Sequence, residues 1–466
     1  LRWDSWTQFT EVLDRMTFFN PNVVNPVAGG ILGGLQFAGH GTDSCNCSTP
    51  VKTHYHNFGP RIGFAFKVNN SMVVRAAYGM FYAHYGGGGG RTNGRQGLSK
   101  IGFNSSGSLG STVTGQPAYS WDSGVPGNPI NPPFFNPSYG IGFILASAPG
   151  AAPIGAGPST AQTLVYGDPE KGGQAPQYQD FFLNVQRAFG PNMTLSVAYS
   201  GSVGRYLPGA GVAGPFTNQI PVKYLPLGSL LTQTLSSSTI ASAAALGFTV
   251  ASPFPNFTGT VGQALKPYPQ YSSLSDPWLD VGTSSYNSLQ TTLNRRVSNG
   301  LTLMINYTYS KEMDNLAGNR YPGANYLEYT VGALDRKHVL SSTVVYKLPF
   351  GPGRRFNSDN FVVKSLIRDW QVSGIFTANS GAPLSVGGTC TGGGIIDASC
   401  YPNYTPGFTG SAQIGSKPHT IIEAATAHLD KTAFTNPAAY TYGNAARNAP
   451  LGLFAPHTAD IDASVR

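Results

Sequence analysis

The sequence predicts an all-β fold: an antiparallel transmembrane β-barrel fragment of roughly ten long strands, with short periplasmic turns and long extracellular loops. Three observations predict it. Apolar and polar residues alternate with a period of two over runs too long for an ordinary globular strand. Short and long connections between those runs alternate strictly. The composition is poor in charge and rich in aromatic residues, yet holds no helix-length apolar run.

Ser284 to Lys311 shows the pattern most clearly. On the first arm Leu289, Leu293 and Val297 share one phase, and Tyr286, Ser288, Gln290, Thr292 and Asn294 share the other. After Ser298-Asn299-Gly300, the second arm alternates Leu301, Leu303, Ile305, Tyr307 and Tyr309 with Thr302, Asn306, Thr308 and Ser310. Each arm therefore has one apolar and one polar face. The Asn-Gly step marks a hairpin, because both residues tolerate the positive φ of a tight turn.

The same grammar recurs along the chain. Ile62, Phe64, Phe66 and Val68 lead through Asn69-Asn70-Ser71 to Met72, Val74, Ala76, Tyr78, Met80 and Tyr82. Phe181, Leu183, Val185 and Phe189 turn at Gly190-Pro191-Asn192 into Met193, Leu195, Val197 and Tyr199. Leu340, Val344 and Tyr346 pass through a Gly-, Pro- and Arg-rich turn, Pro349 to Arg368, into Trp370, Val372, Phe376 and Ala378. Half-patterns stand at both ends, near Leu1-Arg2-Trp3-Asp4 and Ala459 to Arg466, so the chain is expected to be part of a longer protein. The long segments are 10–57, 84–177, 204–283, 312–335 and 381–458, which a compact soluble domain would rarely contain.

The 466 residues are 41% hydrophobic, 12% aromatic and only 11% charged, against about 25% charged in a typical soluble domain. The richest apolar run, Ile240 to Val250, is too short for a membrane helix and broken by Gly247. A net charge of +8 is scattered, with no Lys/Arg cluster dense enough for a nucleic-acid patch. Arg187 and Arg295 fall in the apolar phase but within a few residues of a short turn, at interface depth. Arg75 and Lys347 fall in the polar phase. Phe189 and Trp370 at the turn end, and Tyr82, Tyr199 and Tyr309 at the loop end, occupy girdle positions.

Candidate chemistry is sparse. His54 and His56 flank Tyr55 and could share a face, but a metal needs three or four placed ligands, and none accompany them. Cys45-Asn46-Cys47 and Cys390…Cys400 lie in predicted external loops, where disulfides are favoured over zinc. Of three possible pairings, Cys390–Cys400 is the preferred bridge; a Cys45–Cys47 ring is small, so a cross-loop bridge stays open. Gly86 to Gly90 with Arg91 and Arg95 lacks the GK[ST] ending of a phosphate loop. No nucleophile elbow with a His partner occurs. Asp460 and Asp462 share the polar phase, where paired carboxylates tune a pore's field. No catalytic, cofactor or metal residues are assigned, and no enzyme is expected.

Asn57 to Ala65 (NFGPRIGFA) followed by Val74 to Tyr82 (VRAAYGMFY) resembles the barrel of Oar-like TonB-dependent transporters, which carry a carboxypeptidase-regulatory-like N-terminal domain. Leu293-Asn294-Arg295-Arg296, Asn306 to Lys311, Asp335 to His338 with Leu348 to Gly351, and Asp369 to Gly374 strengthen the resemblance. It implies an outer-membrane barrel of about 22 strands, of which residues 1–466 are a part; the regulatory-like domain, TonB box, plug, and first and last strands are missing from the stretch. It also implies outer-membrane lipid, the TonB–ExbB–ExbD system and an extracellular ligand (glycan, peptide or chelate) as partners.

Overall fold

The computed structural model describes residues 1–5, 10, 17–25, 28–40, 44–49, 52–83, 98–99, 114–115, 163–165, 174–207, 218–271, 273–275, 282–296, 300–316, 320, 325–351, 355–356, 360–367, 370–392, 400–414 and 429–466. Nine antiparallel strands form one sheet in sequence order: β1 (Arg61–Asn69), β2 (Met72–Tyr82), β3 (Gln177–Ala188), β4 (Met193–Leu207), β5 (Gly282–Arg296), β6 (Leu301–Asp314), β7 (His338–Lys347), β8 (Gln371–Asn379) and β9 (Thr458–Val465). The two-residue strand Thr330–Val331 adds to β6 as a tenth. Each neighbour in sequence is a neighbour in space, as hairpin-linked strands require.

The register turns the sequence alternation into two continuous faces. One row across the sheet reads Phe64, Ala76, Leu183, Tyr199, Leu289, Tyr309 and His338. Another on the same side reads Met72, Arg187, Leu195, Leu293, Ile305, Ser342, Phe376 and Ile461. The opposite side carries Gln186, Ser196, Thr292, Asn306, Ser341, Thr377 and Asp460 in one row. A one-residue slip at any hairpin would mix the two faces. The register shifts by one residue only near strand ends, between Lys67 and Asn69 of β1 and between Gly204 and Leu207 of β4, and is regular along the rest of the nine-strand pairings.

The apolar side is not a protein core. Ile62 is 71% exposed, Phe66 61% and Ile461 74%. Among the described residues, only Leu207, at the loop end of β4, brings a nine-strand residue into the buried hydrophobic core. Cores of the soluble kind lie instead in the connections, where Leu225, Leu227, Leu231, Ala243, Val250 and Val261 cluster. Apolar area left bare on the sheet and buried in the loops is the inverse of a soluble sandwich, and lipid is the solvent that suits it.

Several details differ from the sequence reading. The segment read as a Gly-, Pro- and Arg-rich turn between β7 and β8 contains a helix, Phe361–Ile367. Its start is set by Asn360, whose side-chain oxygen accepts from the amides of Val362 and Val363. The β5–β6 connection is wider than a two-residue turn, since Arg296 pairs with Thr302. Gly300 takes φ +90° there, while Val297, Ser298 and Asn299 lie outside the described residues. At the N-terminus, Arg2–Asp4 pairs with Asn57–Gly59, just ahead of β1, in a separate two-stranded ladder. The long segments also hold structure of their own, including the strands Thr17–Val24 and Leu32–Phe37 and the helix Ser237–Ala245.

Candidate functional site

The polar face is a hydrogen-bonded lining. Arg75 Nη1 donates to Gln186 Oε1 at 2.8 Å, and Asn184 Nδ2 donates to Ser196 Oγ at 2.6 Å. Thr292 Oγ1 donates to Asn306 Oδ1 at 3.0 Å, Ser202 Oγ to Asp180 Oδ1 at 2.6 Å, and Ser373 and Ser464 share a bond of 2.7 Å. These links run between neighbouring strands and tie them together across the polar face. On the apolar face the phenol groups find partners towards the loop end. Tyr78 donates to Gln179, Tyr199 to Asn287 at 2.6 Å, and Tyr307 shares a bond with His338 at 2.8 Å. An apolar ring with a satisfied polar tip is what a membrane interface selects. Arg187, on the apolar side, lies with Cζ 5.1 Å over the Phe189 ring near the short turn.

Above the long-loop end the connections brace one another through buried polar groups. Arg320, 1% exposed, donates from Nε to Glu328 Oε1 at 3.0 Å and from Nη1 to the Gly443 carbonyl at 2.9 Å; Nη2 reaches the Ala445 carbonyl. Its guanidinium lies 4.4 Å from the Tyr401 ring centre. Burial pushes the Glu328 carboxyl above the usual carboxylate range, and the Arg320 charge opposes that rise. Arg447 Nη2 binds Asp314 Oδ1 at 2.5 Å, and Asn448 Nδ2 donates to the Val331 carbonyl at 2.9 Å. Asp335 Oδ1 accepts from the Glu312 amide at 2.7 Å. Thus the 315–337 connection is fastened to the 380–457 connection and to the end of β6.

Two further contacts tie the remaining loops together. Gln270 Nε2 donates to the carbonyls of Leu32 and Gly33 at 2.9 and 2.8 Å, while Phe19 packs edge-on against Tyr268 and Tyr271. Burial raises the Tyr271 phenol well above its ordinary value. Tyr440 and Tyr442 of the 380–457 connection pack on the Leu225–Val261 cluster. Mutual bracing of this kind builds a cap over one end of the polar face.

The residues singled out from sequence fall as follows. Cys390 is joined to Cys400, Cα atoms 5.7 Å apart, and Cys45 to Cys47 at 5.1 Å. The small Cys45–Cys47 ring, disfavoured by spacing alone, closes because Asn46 adopts φ +51°, a conformation asparagine tolerates. Both pairs stay within their own loop. His54 and His56 precede β1, and among the described residues no group of three or more His, Cys, Asp or Glu gathers as a metal set. Asp460 and Asp462 lie in rows of the polar face, opposite Thr377 and Ile375. Gly86 to Gly90, Arg91 and Arg95 lie outside the described residues. Arg320, Glu328, Asp314 and Arg447 were not legible as a set, because Arg447 stands more than a hundred positions from the groups it meets. A weak signal existed: Arg320, Glu328 and Arg447 are each an isolated charge in a charge-poor stretch, although Asp314 follows Lys311 and Glu312.

None of the curated proteins matches this chain. Among solved structures, the ferripyoverdine receptor of the outer membrane of Pseudomonas aeruginosa is similar at 9% identity with a TM-score of 0.28, covering 77% of this chain and 26% of that one. The outer membrane transporter YddB from Escherichia coli is similar at 9% identity with a TM-score of 0.30, covering 68% of this chain and 28% of that one. The chain thus spans about a quarter of the length of these structures. The profile of the outer membrane beta barrel domain family matches residues 1–466 throughout. The strands, their bare apolar face and that match agree: the protein is a multi-pass β-barrel protein of the outer membrane and belongs to the outer membrane beta barrel domain family.

Proposed function

We propose that residues 1–466 are part of the barrel of a TonB-dependent active transporter, in which a plug supplied by the whole protein gates the lumen. The observation that carries the reading is the register: nine strands present a mainly polar, hydrogen-bonded wall opposite a mainly apolar one. A wall of that kind lines a wide aqueous passage, and a passage wide enough for a large ligand needs a gate and an energy source. On this reading the TonB–ExbB–ExbD system supplies the energy. The braced loops form the outer vestibule, and the ligand is an extracellular glycan, peptide or chelate. The Oar-like subtype, with its carboxypeptidase-regulatory-like domain, is part of the proposal. The role is transport, with no chemical step assigned to any residue.

The test is uptake by the whole protein in a strain with and without TonB. Ligand accumulation that needs both supports the proposal. Binding and uptake that persist unchanged without TonB overturn it. A second reading, a surface adhesin anchored by its barrel, is favoured by the separate small cores inside the loops, such as Ala412, Ala433 and Leu453. Replacing residues 382–457 by a short turn separates the two: lost adhesion with intact uptake selects the adhesin.

A further inference from the structure

The helix Phe361–Ile367 has apolar side chains and little to pack them on. Phe361 is 81% exposed, Val362 61% and Leu366 67%. Val363 and Trp370 are also exposed. The helix is held in place rather than frayed. Asn360 caps its first amides, Ser365 Oγ bonds the Phe361 carbonyl at 2.8 Å, and Trp370 Nε1 bonds the Leu366 carbonyl at 2.6 Å. The Trp370 ring therefore sits against the helix end, and the Leu348 amide bonds the Trp370 carbonyl at 2.8 Å, closing β7 onto β8 directly beneath. In the same connection Phe350 and Phe356 pair at 5.6 Å, both exposed.

We infer that this connection is a membrane-interface anchor: the helix lies on the inner, periplasmic leaflet with Phe361, Val362 and Leu366 among the upper acyl chains. The inference rests on the outer-membrane barrel reading. Continuity identifies the occupant. The row ending the sheet's apolar face on this side is Leu301, Tyr346, Val372 and Val465, and β7 and β8 run from that row straight into the connection. Trp370 and Phe189 already mark the girdle depth at this end. The segment 348–370 carries Arg354, Arg355, Lys364 and Arg368 against Asp359 and Asp369, an excess of basic residues suited to phospholipid phosphates. A protein partner would equally bury the apolar groups, and the labelling experiment below has an outcome for it.

Single-cysteine labelling of the whole protein in phospholipid vesicles tests this. The four cysteines of residues 1–466 are paired, and any thiol elsewhere in the whole protein is replaced by serine, so labels go to introduced sites. Phe361→Cys and Leu366→Cys report on the helix, and Val344→Cys reports on the sheet's apolar face. A polarity-sensitive fluorophore is read with a quencher at the lipid headgroup, one deep in the acyl chain, and aqueous iodide. The inference expects both helix labels to be quenched most by the shallow lipid quencher and shielded from iodide, with the Val344→Cys label quenched by the deep one. Iodide-accessible helix labels beside a lipid-quenched Val344→Cys label overturn the anchor and leave the barrel standing. Helix labels shielded from all three quenchers overturn it in favour of a protein cover. A Val344→Cys label that no lipid quencher reaches removes the barrel reading and the anchor with it.

Discussion

Arg320 and Glu328 are each almost wholly buried, at 1% and 2% side-chain exposure, and lie where two long loops meet. A buried pair gains little over an apolar pair of similar shape, but losing one partner strands a charge. Arg320→Met is therefore expected to loosen the cap by about 3–5 kcal/mol, and Arg320→Met with Glu328→Leu by less than the two single changes combined. Hydrogen exchange of the 320–334 and 440–448 amides is the readout; strict additivity would show that the pair is not coupled. Protonation gives an independent check. Because burial raises the Glu328 carboxyl, the folded cap binds its proton more tightly than the unfolded chain does. Its contribution is thus full below the ordinary carboxylate value and is lost as pH rises through the raised one. Glu328→Gln should flatten that slope while keeping the acceptor for Arg320. An unchanged pH profile would assign the slope to other groups.

Among the elements, β6 shows what two faces mean for substitution. Ile305 sits in the apolar row and Asn306 in the polar row, one residue apart. A lysine on the lipid side of a barrel strand costs about 2–4 kcal/mol near the midplane. Ile305→Lys should depress folding into vesicles by that order, and Asn306→Lys should be close to neutral; equal effects would mean the faces are wrongly assigned. In the loops, Ser236 caps the helix Ser237–Ala245 and Thr239 answers it in a capping box. Ser236→Ala should cost about 0.5–2 kcal/mol, read as faster exchange in 237–245 only. The strands were legible because a half-apolar ribbon must alternate, whatever it packs against, as Leu289 to Leu293 and Leu301 to Tyr309 do. The helix at Phe361 was not, since FVVKSLI is short and sits among Gly, Pro and Arg that read as punctuation. The Arg320 and Arg447 contacts were hidden for another reason: long-range polar pairing leaves no period in the sequence.

At the scale of the molecule, two solvents share one chain. The sheet leaves Ile62, Phe64, Phe66 and Ile461 bare, so water alone gives it no net hydrophobic drive. The cap is different. Leu231 and Val261 are fully buried, Ala243 packs with them, and Phe19, Tyr268 and Tyr271 form a second nucleus held by Gln270 and Asn25. At roughly 25 cal/mol per Å² of apolar area removed from water, such clusters gain stability in an aqueous medium. Refolding without lipid or detergent is therefore expected to split the protein by solvent. Amides in 222–265 should regain slow hydrogen exchange, while those in 301–314 and 338–347 stay unprotected until vesicles are added. Protection of both groups in plain buffer would mean that the apolar face had found a protein partner. Protection of neither would mean that the cap depends on the strand ends beneath it. The Asp314–Arg447 bond, which ties the last residue of β6 to the 380–457 connection, is where that dependence would originate. Repeating the experiment with Arg447→Ala tells the two cases apart: a self-standing cap keeps the 222–265 protection, and a dependent one loses it even in vesicles.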